Sequence, residues 1–509
     1  MAHEVRQIPR LSSDFFCSEV NDESRVSAGS WALSPWLFLF SIRQRLPAFK
    51  MAICILHFWH FRQKCKIRDW SLPHFTIFAL YKNDINGKNI KYAMIKRDLY
   101  LQQLIAGKGN GLIKIITGIR RCGKSFLLFN LFYKHLIESG IPSDHIIKIA
   151  FDDWSFRNLC DPNELMPFLN AQMVDNETYY LLFDEVQLLG EFVPVLNGLL
   201  RRENVDIYVT GSNSRFLATD VVTEFRGRGD QIHVFPLSFA EFMSVDSRHP
   251  FDAWRDYYTY GGLPQVRMLD TDKKKADYLK NLYTTVYFAD ILERHNIKNK
   301  EEFGELVKVV GSSIGSPTNP RKLSNTFKST KNTTISQPTI SKYLSYLQDA
   351  FILDKSIRYD VKGKKYINTL SKYYFSDVGL RNAILDFRQQ EENHIMENII
   401  YNELCVRGFN VDVGVVEQRG KDKNGKDTRK QYEIDFVANQ GSKRYYVQSA
   451  FIMPDEAKEQ QESASLLEVS DSFKKIIVVK DNIKPKRNEQ GIFTIGLFDF
   501  LLNPDSLDL

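Results

Sequence analysis

The chain has 509 residues, 43% of them hydrophobic and 26% charged, a balance that excludes a low-complexity or disordered chain. Its net charge of +6 lies in residues 1–93. These hold 13 of the 68 Lys/Arg and 7 of the 62 Asp/Glu, so 94–509 carries 55 of each sign. A nucleic-acid surface on 94–509 must therefore be a local patch.

Residues 1–93 read as an N-terminal extension that is disordered or not native to the working protein. They contain Trp31, Trp36, Trp59 and Trp70, four of the six tryptophans, and two apolar clusters, Trp31–Phe40 and Met51–Phe61. Neither cluster reaches the roughly 20 apolar residues of a membrane span, and no leader-peptide pattern opens the chain. Met94 is a natural start for the helix that precedes the first domain. The six cysteines show neither pairing nor metal-ligand spacing, which suits a reducing, cytoplasmic compartment.

Residues 94–264 read as one domain. The β-branched run Ile115-Ile116-Thr117 leads into Gly118-Ile119-Arg120-Arg121-Cys122-Gly123-Lys124-Ser125, and a helical apolar run opens at Phe126. The spacing G-x-x-x-x-G-K-S after a strand and before a helix is that of a phosphate-binding loop. Its backbone N–H groups and the helix dipole face an anion. Gly118 to Phe126 are thus the nucleotide-binding residues, Lys124 reaching the β- and γ-phosphates and Ser125 joining a Mg²⁺ shell. Cys122 reads as a bystander.

The apolar run Tyr179–Phe183 ends in Asp184-Glu185, as a central parallel strand presents carboxylates at its edge. Asp184 is expected to hold Mg²⁺ through water and Glu185 to polarise the attacking water. A further strand, Val205–Thr210, precedes Ser212 and Asn213. Either is a candidate sensor of the γ-phosphate, and Asn213 is equally a helix N-cap. Arg226 and Arg228, in a glycine-flanked loop, are candidates to stabilise transition-state charge in cis or across a subunit interface, or are plain solvated arginines. Strand–helix alternation over Ile113–Val234 implies a doubly wound α/β parallel sheet. Gly261-Gly262-Leu263-Pro264 closes this domain or hinges it to the next.

These strings, with Phe235-Pro236-Leu237-Ser238-Phe239, occur together and in order. They resemble the prokaryotic AAA-type ATP-binding proteins, P-loop NTPases that carry a C-terminal domain of unknown function. The resemblance covers about 94–509 and implies ATP and Mg²⁺ as cofactors and hydrolysis as the activity. It implies no cellular role.

Residues 265–370 read as a winged-helix domain. Helices are expected over Lys273–Arg294, Phe303–Ile314, Arg321–Ser329 and Ser336–Leu353, then a hairpin across Lys362-Gly363-Lys364. Asp290 and Arg294 form a surface i,i+4 pair. Thr339, Ser341 and Lys342 would face DNA, with Lys362, Lys364 and Lys365 on the wing; a protein-contact surface is the other reading.

Residues 371–509 look like a C-terminal α/β restriction-endonuclease-like domain. Glu397 on a helix and Asp435 and Gln448 on adjacent strands match the resembling nucleases in type, but Ala450 stands where a lysine belongs. This implies a degenerate centre with nuclease activity absent. The expected function is a Mg-dependent ATPase whose nucleotide state moves the winged-helix and C-terminal domains, with a homo-oligomer in view. The alternatives are an ATP-gated DNA-binding or regulatory module with little turnover, and an ATP-controlled metal-dependent nuclease.

Overall fold

The computed structural model describes residues 95–211, 225, 227–331, 335–421 and 427–509. Residues 1–93, Ser212, Asn213 and Arg226 lie outside the described residues, so the expectations attached to them stay as sequence readings.

Five parallel strands form the first sheet: β1 (Ile113–Thr117), β2 (Ile146–Ala150), β3 (Tyr179–Asp184), β4 (Val205–Thr210) and β5 (Gly229–His233), in the order β2-β3-β4-β1-β5. β1 and β3 are buried along their whole length, as apolar strands covered on both faces must be. The single charge inside β1, Lys114, is neutralised by an ion pair with Asp206 of β4. The order puts β4 between β1 and β3. The loop after β1, the carboxylates after β3 and the end of β4 therefore meet at one edge. The helix after the loop runs over 124–138 with a π-helical stretch at Leu127–Phe132. One helix begins earlier than its apolar pattern indicates: Pro162–Gln172 starts three residues before Leu165. Asp161 caps Asn163 N–H and Pro162 takes the first helical position, leaving Pro167 in the interior.

Helices Asp272–Leu282, Tyr283–Phe288 (π-helical) and Ala289–Arg294 are contiguous, and helices Lys300–Ser312, Pro320–Lys331 and Gln337–Asp349 follow. The expected hairpin is present as β6 (Leu353–Asp360) and β7 (Lys365–Phe375), antiparallel. It is not a free wing. β6 pairs in parallel with β8 (Asn410–Lys421), which makes the hairpin the edge of an eight-stranded sheet. That sheet continues through β9 (Asp427–Gln440), β10 (Lys443–Ala450), β11 (Lys474–Val479), β13 (Phe493–Gly496) and β12 (Lys486–Arg487). β7 runs straight through the 370/371 boundary because strand pairing, not composition, ends it. Lys362 of the hairpin is tied to Glu468 at 3.0 Å within the C-terminal region.

The cores also cross the expected boundaries. One joins Ile116, Leu128 and Phe132 of the five-stranded sheet and the helix over 124–138 to Leu279, Tyr287 and Leu306 of the later helices, and on to Phe375 and Leu380. A second unites Phe239, Trp254 and Tyr257 with Ile399, Phe436 and Phe498. Among the described residues no helix is long and apolar enough to cross a membrane.

Candidate functional site

The loop after β1 curls because its glycines allow it. Gly118 has φ +140°, and a Cβ there would stand 2.2 Å from the carbonyl oxygen of Val234. Gly123 has φ +102° and begins the helix over 124–138. The Lys124 ammonium is buried and donates to the carbonyls of Gly118 (3.0 Å) and Ile119 (3.2 Å), so it lies inside the curl. Ile119 and Cys122 are buried, the Cys122 thiol donating to Val234 O at 3.2 Å, a packing role. Arg121 and Phe126 are exposed.

Asp184 ends β3 beside this loop. Its carboxylate accepts a hydrogen bond from the Thr210 hydroxyl, and the Ser125 hydroxyl stands near it. Burial pushes the Asp184 carboxyl above its ordinary range, against those two hydroxyls. Such a group, flanked by the Ser125 hydroxyl, fits a divalent cation. Glu185 follows in the left-handed region (φ 51°), its N–H donating to Thr210 Oγ1 at 3.1 Å and its carboxylate accepting from the Gln187 amide. A non-glycine residue held there is a strained position of the kind found at active sites. His233, at the end of β5, is pushed down to about 4 by burial and by Lys124, so the edge adds a neutral ring, not a further cation.

Thr210 is the residue the sequence reading passed over. The sequence points to the polar residues after β4, yet the last residue of β4 itself bridges Asp184 and Glu185. Its signal was a threonine ending an apolar strand. Arg97 had none: its guanidinium donates to Cys122 O (3.0 Å) and Phe235 O (2.5 Å) and pairs with Glu241 at 3.0 Å, bracing the loop from behind. Pro264 lies against Gly123, and Asp377 explains the Gly-Gly-Leu-Pro string. That buried carboxylate accepts from Gly262 and Leu380, each at 2.8 Å, and a Cβ at Gly261 would stand 2.3 Å from it.

Arg228 departs from a cis role. It precedes β5, and its carbonyl accepts from Ile113, the first residue of β1. The five residues of β1, roughly 16 Å of strand, separate it from the phosphate loop. Its guanidinium contacts Asn197 at 3.3 Å.

At the eight-stranded sheet, Glu397 of the helix Glu392–Val406 lies near Asp435 of β9, whose neighbour on β10 is Gln448. Asp435 N–H donates to Gln448 Oε1 at 3.3 Å, and Asp435 accepts from Ser449 N–H at 2.9 Å. The cation absent at Ala450 enters from β7 instead. Lys372 Nζ lies 2.8 Å from Glu397, 3.0 Å from Glu433 and 3.2 Å from Asp435. Burial opposes its charge, yet the three carboxylates hold its pKa above the ordinary lysine value. Among the described residues no group of three or more His, Cys, Asp or Glu is arranged to hold a metal ion. A lysine 63 positions before Asp435 carries no sequence signal; only the pairing of β6 with β8 brings it there.

The family described as AAA domain matches residues 110–243, and the Domain of unknown function (DUF8612) matches 251–391. An uncharacterized protein of Haemophilus influenzae is 34% identical over 416 residues, covering 81% of this chain and 99% of that protein. An uncharacterized protein of Methanocaldococcus jannaschii is 28% identical over 386 residues, covering 73% and 80%. Among solved structures, a Walker-type ATPase of Pyrococcus abyssi is 14% identical, covers 60% of this chain and 98% of its own, and has a TM-score of 0.40.

Proposed function

We propose, from the premise that this chain belongs to the family of the Haemophilus influenzae protein and matches an AAA domain over 110–243, that it is a Mg-dependent ATPase working at Gly118–Ser125. The observation that carries the reading is the Asp184 carboxylate, bonded to Thr210 and with the Ser125 hydroxyl near it, at the mouth of the phosphate loop. The loop N–H groups and the dipole of the helix over 124–138 bind the phosphates, with Lys124 supplying the nearest positive charge. Ser125 and Asp184 would hold the Mg²⁺. Mg-ATP supplies the scissile phosphoanhydride. Glu185, aimed by Thr210 and Gln187, takes the proton of the attacking water. Arg228 serves a neighbouring subunit's nucleotide in a homo-oligomer, because its own site lies at the other edge of the sheet. Nucleotide state moves the helices after Pro264 and the eight-stranded sheet, while the Lys372 centre is a structural remnant with no cleavage step. Steady-state phosphate release tests this: Lys124→Ala abolishes it, and unchanged turnover in Glu185→Gln overturns the assignment of the base.

A second reading, DNA contact by the helices Pro320–Lys331 and Gln337–Asp349, is favoured by one observation. Between 306 and 348 the chain has six Lys/Arg and no Asp/Glu, a local patch inside a neutral whole, with Arg321, Lys322, Lys328 and Lys342 exposed. Salt-dependent anisotropy with duplex DNA supports it, and its absence rejects it.

A further inference from the structure

Arg120 sits midway between the two glycines of the phosphate loop, and one helix grips it twice. The Tyr287 hydroxyl donates to the Arg120 carbonyl at 2.6 Å. The Arg120 guanidinium pairs with Asp290 at 3.1 Å, through the carboxylate oxygen Oδ1. The other oxygen, Oδ2, pairs with Arg294 one turn on. Tyr287 belongs to the π-helical stretch Tyr283–Phe288, a widening of the helix that is common at functional sites. The pair Asp290–Arg294, which in sequence reads as a solvated surface feature, is therefore a three-member cluster with the loop.

The charges in this cluster suit an exchange. Asp290 is shared by two guanidiniums, so it stays paired with Arg294 if Arg120 leaves, and no carboxylate is stranded. Arg120 itself pairs with one anion, Asp290, and belongs to the loop that would hold a second, the polyphosphate. A phosphate accepts from a guanidinium in two parallel bonds and carries more charge than a carboxylate already half-neutralised by Arg294. Arg120 and Asp290 are about a third and a quarter exposed, which leaves both side chains room to turn.

We infer that the Arg120–Asp290 pair is the nucleotide-sensing contact of this protein. Polyphosphate in the loop draws the Arg120 guanidinium off Asp290, and the segment 283–294 loosens its hold on the loop. Asp290 and Tyr287 act as positioning residues, touching the loop and not the substrate. The inference rests on the reading of Gly118–Ser125 as a Mg-ATP site.

Hydrogen exchange of the full-length protein with and without Mg-ATPγS tests it, read by mass spectrometry on peptides covering 283–294. In the unaltered chain ATPγS speeds exchange in that segment about fivefold, the low end of allosteric coupling factors. In Asp290→Asn exchange is fast without nucleotide, ATPγS adds nothing further, and the protein binds ATPγS about fivefold more tightly because Arg120 no longer has to be drawn away. Asp290→Glu restores the nucleotide response. Tyr287→Phe removes a single hydroxyl and shifts exchange in the same direction, which covers the case of an Asp290 variant that does not fold. ATPγS bound with no change over 283–294, or a full response in Asp290→Asn, overturns the inference and leaves the ATP site standing. Failure of the unaltered chain to bind ATPγS overturns the ATP site as well.

Discussion

Thr210 shows how a single hydroxyl organises the edge beside the phosphate loop: it donates to Asp184 and accepts from the Glu185 N–H, tying the two residues to each other. Asp377 does comparable work at the junction. Burial pushes this carboxyl up to about 6, against backbone N–H groups of Leu380, Gly262, Gly379 and Leu263. A carboxyl raised from 3.8 in this way binds a proton more readily folded than unfolded. Its contribution to stability is therefore full below about pH 4 and is lost as pH rises through about 6. In urea unfolding, the stability advantage of the unaltered chain over Asp377→Asn shrinks between pH 4 and pH 6.5. An advantage that stays constant or grows over that interval contradicts the account of Asp377.

Elements explain where sequence reading succeeds and where it stops. The strand before the phosphate loop, the run ending in Asp184 and the helices of 272–349 announce themselves, because local periodicity and apolar runs dictate them. The Lys372 centre does not, since it forms only when β7 reaches the C-terminal sheet through β6 and β8. For the same reason the hairpin looks like a wing in sequence: its local pattern is right, and its partner strand lies 50 residues on. Lys372→Met leaves three carboxylates facing one another in a buried place, which costs about 3 kcal/mol at pH 8. The loss is smaller at pH 5, where Glu397, its carboxyl raised by burial, holds a proton and the repulsion fades. Equal losses at both pH values, or none, show that the ammonium is not what holds Glu397, Glu433 and Asp435 together.

At the scale of the whole molecule, the ATPase core was legible and the boundaries around it were not. Composition and turn residues suggest separate modules, but hydrophobic burial joins Phe132, Leu306 and Leu380 in one core and Trp254 with Phe498 in another. Such shared cores give a nucleotide-driven change at Arg120 packed neighbours to act on. The central claim is that Gly118–Ser125, Asp184 and Glu185 hydrolyse Mg-ATP. Phosphate release under saturating Mg-ATP, with nucleotide binding followed in parallel, tests it most directly. The account predicts turnover in the unaltered chain, loss of both binding and turnover in Lys124→Ala, and retained binding with turnover reduced at least about a hundredfold in Glu185→Gln. Turnover that survives Lys124→Ala, or an unaltered chain that binds no nucleotide, contradicts it.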